Sequence, residues 1–419
     1  MSTERYLTLP DSVVTTITSC RICGEEEFRP VLDLGEQCIG NAFHDATGES
    51  ILCAPLRLVR CGSCSLVQLA HRVSTDLMYA SYWYRSGVNQ TMRDHLAGLA
   101  AQAQGLVDLE PGDVVIDIGS NDGTSLACYP ENVHRVGVDP SNIRPQACDT
   151  YIHDYFSRRA VSEALQGRKA KIITSIAMFY DLNDPCEFAE HVGASLRSDG
   201  VWVLELSYLP TMLRANSYDT VCHEHVCYYR IATFEKVLSG TGLELFDVEF
   251  NESNGGSFRL FVAPHGRREK STRYLHARVD ESRLLLDRDF PYRQFSNRVE
   301  RAREHLERFL HDAGRAGKLV YGYGASTKGM VTLQHSGVTR ELMPAIAERN
   351  PDKYGLYTPG TNIPICSESE MREARPDYLV VLPWHFLDEF VAREADYLAA
   401  GGKFVLPLPE FRILDPREA

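Results

Sequence analysis

Apolar runs at Val114–Ile118, Arg135–Val138, Lys171–Ile176, Val201–Leu206, Leu245–Phe250 and Phe258–Ala263 recur through the middle of the chain. They are dense enough in apolar side chains to predict strands buried on both faces. Met92, Leu96, Leu99 and Ala100 share one side of a helix reaching Gly105. Strands alternating with helices predict an α/β fold with a mostly parallel sheet covered on both faces. The last two strands flank Gly255-Gly256 and predict a terminal antiparallel hairpin. Phe290 to Arg315 is charged, with Phe295, Val299, Ala302, Leu306 and Leu310 at helical spacing. That pattern predicts a linker helix whose apolar face docks on a neighbour. Lys318 to Gly329 then opens a second strand–glycine loop–helix unit, followed by strands at Ala345–Glu348, Tyr378–Leu382 and Phe404–Leu406.

A chain of 419 residues exceeds one ordinary core and predicts two or three domains. The net charge of -13 offers no basic stripe for phosphates and excludes a nucleic-acid partner. No apolar stretch approaches the roughly 18 residues that cross a bilayer, and no signal peptide opens the chain. A cytoplasmic protein with no membrane partner is expected, with its cysteines as thiols or metal ligands rather than disulfides. No residue pattern marks an interface; a monomer is compatible with the chain.

The strand Asp113–Ile118 runs into Gly119-Ser-Asn-Asp-Gly-Thr124, and Val136-Gly-Val-Asp139 follows. A glycine turn that admits a ligand, with an acid on the next strand for ribose hydroxyls, is how a doubly wound sheet builds a nucleotide site. The loop lacks the G-x-G-x-x-G spacing of a pyrophosphate site. Its small polar side chains suit S-adenosylmethionine, with Asp117, Gly119, Ser120, Asn121, Gly123 and Asp139 around it. The alternative is a well-formed strand-to-helix turn and nothing more. Asp154 and Tyr155, beside Phe156, are placed to bind the adenine amino group and cover its ring. Ser175 and Met178, at the end of the next strand, would line the same pocket.

Cys20-Arg-Ile-Cys23 and Cys61-Gly-Ser-Cys64 have the spacing of metal knuckles, and four thiolates make a closed structural zinc site. A redox C-x-x-C is the alternative, but that motif normally occurs once. Cys38 and Cys53 lie between the pairs, and the remaining cysteines read as small buried hydrophobes. Tyr79, Tyr82, Trp83, Tyr84 and Arg85 then crowd into a short segment before Asn89. Such a segment is either a wall that stacks on a ring or a packed linker.

Further on stands Cys222-His-Glu-His-Val-Cys-Tyr-Tyr229. Alternation would place His223 and His225 on one face, as metal ligands require. A general base tuned and oriented by the neighbouring carboxylate is more economical. A satisfied histidine pair at a sheet edge is the third possibility.

The doubled C-x-x-C, the Gly-Ser-Asn-Asp-Gly-Thr loop, the His-Glu-His-x-x-Tyr-Tyr segment, Asn254-Gly-Gly-Ser-Phe-Arg259 and Gly322-Tyr-Gly-Ala-Ser-Thr-Lys-Gly329 occur in this order over nearly the whole chain. Together they resemble the S-adenosylmethionine-dependent nucleotide-sugar C-methyltransferases of deoxysugar biosynthesis, which supply branched sugars for antibiotics and surface polysaccharides. The resemblance implies a zinc-binding domain over 1–85, a class I methyltransferase domain over 86–285 and a C-terminal Rossmann-like domain over 286–419, its linker helix at 290–315. The cofactors implied are S-adenosylmethionine and structural zinc. The implied substrate is a thymidine-diphosphate 4-keto-deoxysugar methylated at C3, lying between the central domain and its neighbours. His225 would remove the α-proton, Glu224 would position it or bind the sugar, and Tyr79, Tyr82 or Tyr84 would reach the sugar. Tyr84, Arg85, Asn89, Tyr229 and Asn254 fall to the substrate side. The chain departs from the family at Cys222, where a tyrosine is usual, and at Phe179-Tyr180-Asp181, where a histidine is usual.

In the second glycine unit, Ser326, Thr327 and Lys328 at a helix start suit a diphosphate. A turn left from an old dinucleotide fold is the alternative. Lys353 and Tyr354, in a loop rich in turn formers, would border the same crevice. An oxidoreductase or isomerase with a dinucleotide there is the competing enzyme class. It lacks an acid about twenty residues on, where Arg340-Glu341 is the nearest candidate.

Overall fold

A computed structural model describes residues 6–8, 13–45, 51–74 and 85–415. The N-terminal part holds β1 (Tyr6–Thr8), β2 (Val14–Thr16), β3 (Phe28–Cys38), β4 (Ile51–Cys61), β5 (Val67–Leu69) and β6 (His71–Val73). β3 and β5 pair antiparallel with β4, β1 pairs parallel with it, and β2 pairs with β6. Along β4 the period of two is plain: Ala54, Leu56 and Leu58 are buried, and Arg57 between them is exposed. Cys38 and Cys53 stand opposite each other across β3 and β4 and are joined as a disulfide. This corrects the expectation of thiols and metal ligands alone, because cross-strand register brings together two residues that are distant in sequence.

The central part contains α1 (Gln90–Gly105), β7 (Val114–Ile118), β8 (His134–Val138), β9 (Thr150–Ile152), α2 (Arg158–Ala164), β10 (Ala170–Ile176), α3 (Pro185–Ser195), β11 (Leu196–Ser207), α4 (Leu209–Arg214), β12 (Cys227–Tyr228), α5 (Ile231–Val237), β13 (Leu243–Asn251) and β14 (Ser257–Pro264). Its seven-stranded sheet runs β13-β14-β11-β10-β7-β8-β9. All pairs are parallel except those of β14, which is antiparallel to both neighbours. The expected hairpin is therefore present. The third strand, β9, was not legible, since only Ile152 of its three residues is buried. Alternate strand residues feed two cores. Ile116 packs with Phe179, Trp202 and Phe234 on one face, and Val115 packs with Leu99, Ala103 and Val203 on the other. β12 leaves this part and pairs with β5, so the segment around His225 completes the N-terminal sheet.

α6 (Thr272–Arg283) leads to α7 (Phe290–Arg315), whose apolar stripe is buried as its spacing predicted. Phe295, Val299 and Ala302 join the central core, while Leu306, Leu310 and Ala313 join the C-terminal one. One helix thus belongs to two cores. The C-terminal part comprises β15 (Val320–Tyr323), α8 (Thr327–His335), β16 (Ile346–Glu348), β17 (Ile365–Ser367), β18 (Tyr378–Val381), β19 (Lys403–Leu406) and β20 (Arg412–Leu414). Its sheet order is β17-β16-β15-β18-β19-β20, parallel except for β20. The N-terminal part also grips the C-terminal one. Gln334 exchanges two hydrogen bonds with the Cys38 backbone (2.7 and 3.1 Å), and His44 and Tyr357 exchange backbone bonds (3.2 and 2.7 Å). Among the described residues, no helix is long and apolar enough to cross a membrane.

Candidate active site and metal centre

The two knuckles converge. The Sγ atoms of Cys20, Cys23, Cys61 and Cys64 all lie within 4.8 Å of one another, with Cys20–Cys64 at 3.4 Å and Cys23–Cys61 at 3.5 Å. A zinc ion with Zn–S bonds of about 2.3 Å asks for tetrahedron edges near 3.8 Å, so four thiolates fit it here. Both turns have the same local geometry. The amides of Gly24 and Ser65 donate back to the carbonyls of Cys20 and Cys61, and both residues have positive φ (73° and 66°). The Cys64 amide approaches Cys61 Sγ at 3.4 Å. Cys20, Cys61 and Cys64 are buried and Cys23 is exposed, a closed structural site rather than an open catalytic one.

A crevice of about 920 Å³ is bordered by all three parts of the chain. On one wall stands the loop after β7. Gly119 has φ 72°, and a Cβ there would meet Met178 at 3.2 Å. Gly137 lets the loop lie against β8, where a Cβ would stand 2.8 Å from Ser120 Oγ. Asp139 accepts the amides of Asn121 and Ser141, both at 2.8 Å. Ser120 and Ser125 border the crevice, and among the described residues their buried hydroxyls have no hydrogen-bond partner. Burial pushes Asp117 up to about 7, against the Thr174 hydroxyl bond that favours its charge. Arg85, Asn89 and Tyr155 also border the crevice.

At the end of β11, Glu205 accepts from His95 (2.5 Å), Asn251 (2.8 Å) and Arg259 (3.0 Å). Burial pulls its carboxyl upward, but His95 and Arg259 outweigh burial and hold it below its ordinary range. Both His95 and Glu205 line the crevice. Sequence reading missed them, because the two residues lie on different elements 110 positions apart.

The opposite wall carries His225. Its Nδ1 lies 2.9 Å from the Thr220 carbonyl. A carbonyl only accepts, so Nδ1 holds the proton and Nε2 is the basic nitrogen. Tyr180 packs against the ring with centroids 4.2 Å apart. Burial, then the charge of Lys328, depress the imidazole to about 3 against the pull of the Thr220 carbonyl. The orienting group is thus Thr220 and not Glu224, which lines the crevice separately with its carboxyl raised by burial. His223 turns the other way and bonds the Ala54 carbonyl at 3.1 Å. The two histidines do not share a face, because the segment is a turn here rather than an extended strand.

From the C-terminal part, Ser326, Lys328 and Lys353 reach the crevice, and Asn254 reaches it from the central hairpin. Lys353 donates to the Ala325 carbonyl (2.8 Å) and lies 4.4 Å over the Phe43 ring. Ser326 Oγ caps α8 by accepting the Gly329 amide. An acid does stand by the second glycine loop. Glu348 closes β16 and takes the amides of Ala325, Arg349 and Asn350 (2.7, 2.9 and 2.9 Å). It was overlooked because spacing pointed to Glu341.

Five expected residues lie off the crevice wall. Ser175 Oγ is occupied by the Trp202 indole (2.8 Å). Tyr229 is buried among Phe179 and Phe234. Asp154 is exposed and caps its own turn through the Tyr155 amide. Gly123 serves the backbone: its φ is 83°, and a Cβ would press on Gln146 and Pro145. Tyr354 is exposed and donates to the Arg349 carbonyl at 3.2 Å. Tyr79, Tyr82 and Tyr84 lie outside the described residues.

The sheet order, the glycine loop with Asp139 and the four-cysteine centre define a class I S-adenosylmethionine-dependent methyltransferase with an N-terminal zinc-binding domain. Three family models match the chain in order: a zinc binding domain over residues 20–79, a methyltransferase domain over 84–248 and a C-methyltransferase C-terminal domain over 252–409. The C-methyltransferase NovU of Streptomyces niveus is 30% identical over 413 residues, covering 96% of this chain and 98% of its own. This chain belongs to that C-methyltransferase family. Solved structures align less closely. A methyltransferase of Clostridium acetobutylicum matches 43% of this chain and 94% of its own at 13% identity, TM-score 0.31. Magnesium protoporphyrin IX methyltransferase of Synechocystis matches 43% and 90% at 13% identity, TM-score 0.32.

Proposed function

We propose that this C-methyltransferase acts on a nucleotide-linked keto-deoxysugar drawn from a cytoplasmic pool, with a thymidine-diphosphate 4-keto sugar methylated beside its ketone as the leading case. The observation carrying the reading is His225: Nδ1 is locked on Thr220, and Nε2 is left as a base in the crevice that also holds the Gly119 loop. The cofactor supplies an electrophilic methyl on a sulfonium. Gly119, Ser120 and Asn121 would hold it, and Asp117 and Asp139 would supply carboxylates on the same wall, Asp139 as the acceptor for ribose hydroxyls. His225 Nε2 takes a proton from the carbon next to the ketone, and the neutral imidazole needs no prior deprotonation near pH 7. Glu224 accepts a hydroxyl of the sugar. Lys353, with Asn89 and Arg85 across the crevice, faces the nucleotide end. Zinc is structural, held by Cys20, Cys23, Cys61 and Cys64.

A dinucleotide-dependent oxidoreductase is disfavoured, since Glu348 already spends its carboxylate on the loop amides. The test is to incubate the purified protein with labelled S-adenosylmethionine and a panel of nucleotide keto-sugars in deuterium oxide. Methyl incorporation and deuterium entry at the α-carbon are expected. His225→Asn should lower both by roughly 100- to 10,000-fold, the range of general acid–base catalysis, with donor affinity unchanged. Undiminished exchange in that variant would remove His225 from the reaction.

A further inference from the structure

Lys328 does not point where a diphosphate ligand at a helix start would be held. Its Nζ crosses from α8 to the central part and donates to the Asn254 carbonyl at 2.9 Å. Asp219 is buried nearby, takes the Trp384 indole on Oδ2 at 3.0 Å and, among the described residues, has no partner on Oδ1. The acid's own neighbour in the chain is Thr220, whose carbonyl holds His225. One short turn, Tyr218–Thr220, therefore sets a counter-charge for Lys328 and the orientation of the base in consecutive residues. Lys328, His225 and Asn254 all border the same crevice. An ammonium has three donors, and only one is spent on Asn254.

We propose that Lys328 is a catalytic residue of this reaction, the donor that receives the negative charge developing on the ketone oxygen while His225 takes the α-proton. The inference rests on the keto-sugar reading above. In this step the C–H bond breaks, its proton passes to His225 Nε2, and its electron pair forms the carbon–carbon double bond of an enolate. The carbonyl π pair moves onto oxygen, where Lys328 donates a hydrogen bond. Charge stabilisation of this kind acts on the transition state and leaves ground-state binding little changed. The groups facing Lys328 fit the role. Burial lowers the Lys328 ammonium and Asp219 acts against that burial, while His225 and His385 are held neutral beside it. Lys328 enters the crevice from the C-terminal part of the chain.

The experiment uses the full-length protein and thymidine-diphosphate 4-keto-6-deoxyglucose in deuterium oxide without methyl donor, reading exchange at either carbon beside the ketone. Wild type exchanges, and Lys328→Gln exchanges roughly 100- to 1,000-fold more slowly, the usual loss of one oxyanion donor. Thymidine diphosphate and S-adenosylmethionine bind both proteins within threefold, and Lys328→Arg recovers part of the exchange. Zinc content and circular dichroism establish that the variants fold; if Lys328→Gln does not, Lys328→Met replaces it. Exchange at the wild-type rate in Lys328→Gln, with thymidine diphosphate affinity down tenfold or more, overturns the proposal and makes Lys328 a diphosphate ligand. Absence of exchange in wild type across the nucleotide keto-sugar panel overturns the keto-sugar reading and this inference with it.

Discussion

At the residue scale, the His223–Glu224–His225 triplet shows how neighbours in sequence receive different tasks. His223 is 3% exposed and bonded to the Ala54 carbonyl, and burial lowers it to about 4. Its folded pKa lies below the unfolded value of about 6.5. The unfolded chain therefore takes up a proton first as pH falls. Stability is complete above pH 6.5 and declines between 6.5 and 4, by up to roughly 3 kcal/mol from this group. His223→Gln keeps a donor for Ala54 but cannot titrate. Denaturant unfolding of the variant between pH 7 and 4 should show a flatter loss than wild type; identical slopes would mean that His223 is not held neutral. The triplet's spacing suggested a metal pair or a base with Glu224 as its partner. The turn at 218–225 instead parts the two histidines and sets the Thr220 carbonyl rather than Glu224 on His225, because side-chain direction there depends on backbone dihedrals that spacing does not report.

At the element scale, the C-x-x-C knuckles were readable because a tight turn and its two ligands lie within a few residues. Their reach was not readable. β5 follows the second knuckle directly and pairs with β12, which lies two residues beyond His225. Structural zinc contributes about 10–16 kcal/mol in isolated zinc-finger peptides at pH 7, more than a small module of two thin sheets holds by itself. Metal analysis should find one zinc per chain. Chelation or Cys20→Ser should release it, and hydrogen exchange should then show lost protection in β5 and β12 together. Turnover should fall while S-adenosylmethionine still binds. A metal-free protein with wild-type protection in β12 would show the two strands to be independent.

At the scale of the whole molecule, the crevice exists because three parts are fastened around it. α7 is shared by two cores, Gln334 and Tyr357 tie the N-terminal part to the C-terminal one, and Trp384 ties the C-terminal part to Asp219. Trp384→Phe keeps an aromatic ring and deletes the indole donor, leaving Asp219 Oδ2 without it. A buried acceptor left without its donor costs about 1–3 kcal/mol. The variant should raise KM for the proposed keto-sugar roughly tenfold, about 1.4 kcal/mol, with donor affinity unchanged. A loss of donor affinity instead would place Trp384 in the methyl-donor half.

The amino-acid sequence by itself determined the local features: six of the seven strands of the central sheet, the α7 stripe, both glycine loops, the knuckles and the class of donor. Each is set by hydrophobic period or by turn chemistry within a few residues. Tertiary structure alone decided the Cys38–Cys53 pairing, the His95–Glu205 contact, the Glu348 cap, the separation of His223 from His225 and the reach of Lys328 to Asn254. All of these join or part residues through strand register, turn direction and domain packing, which no short-range pattern encodes.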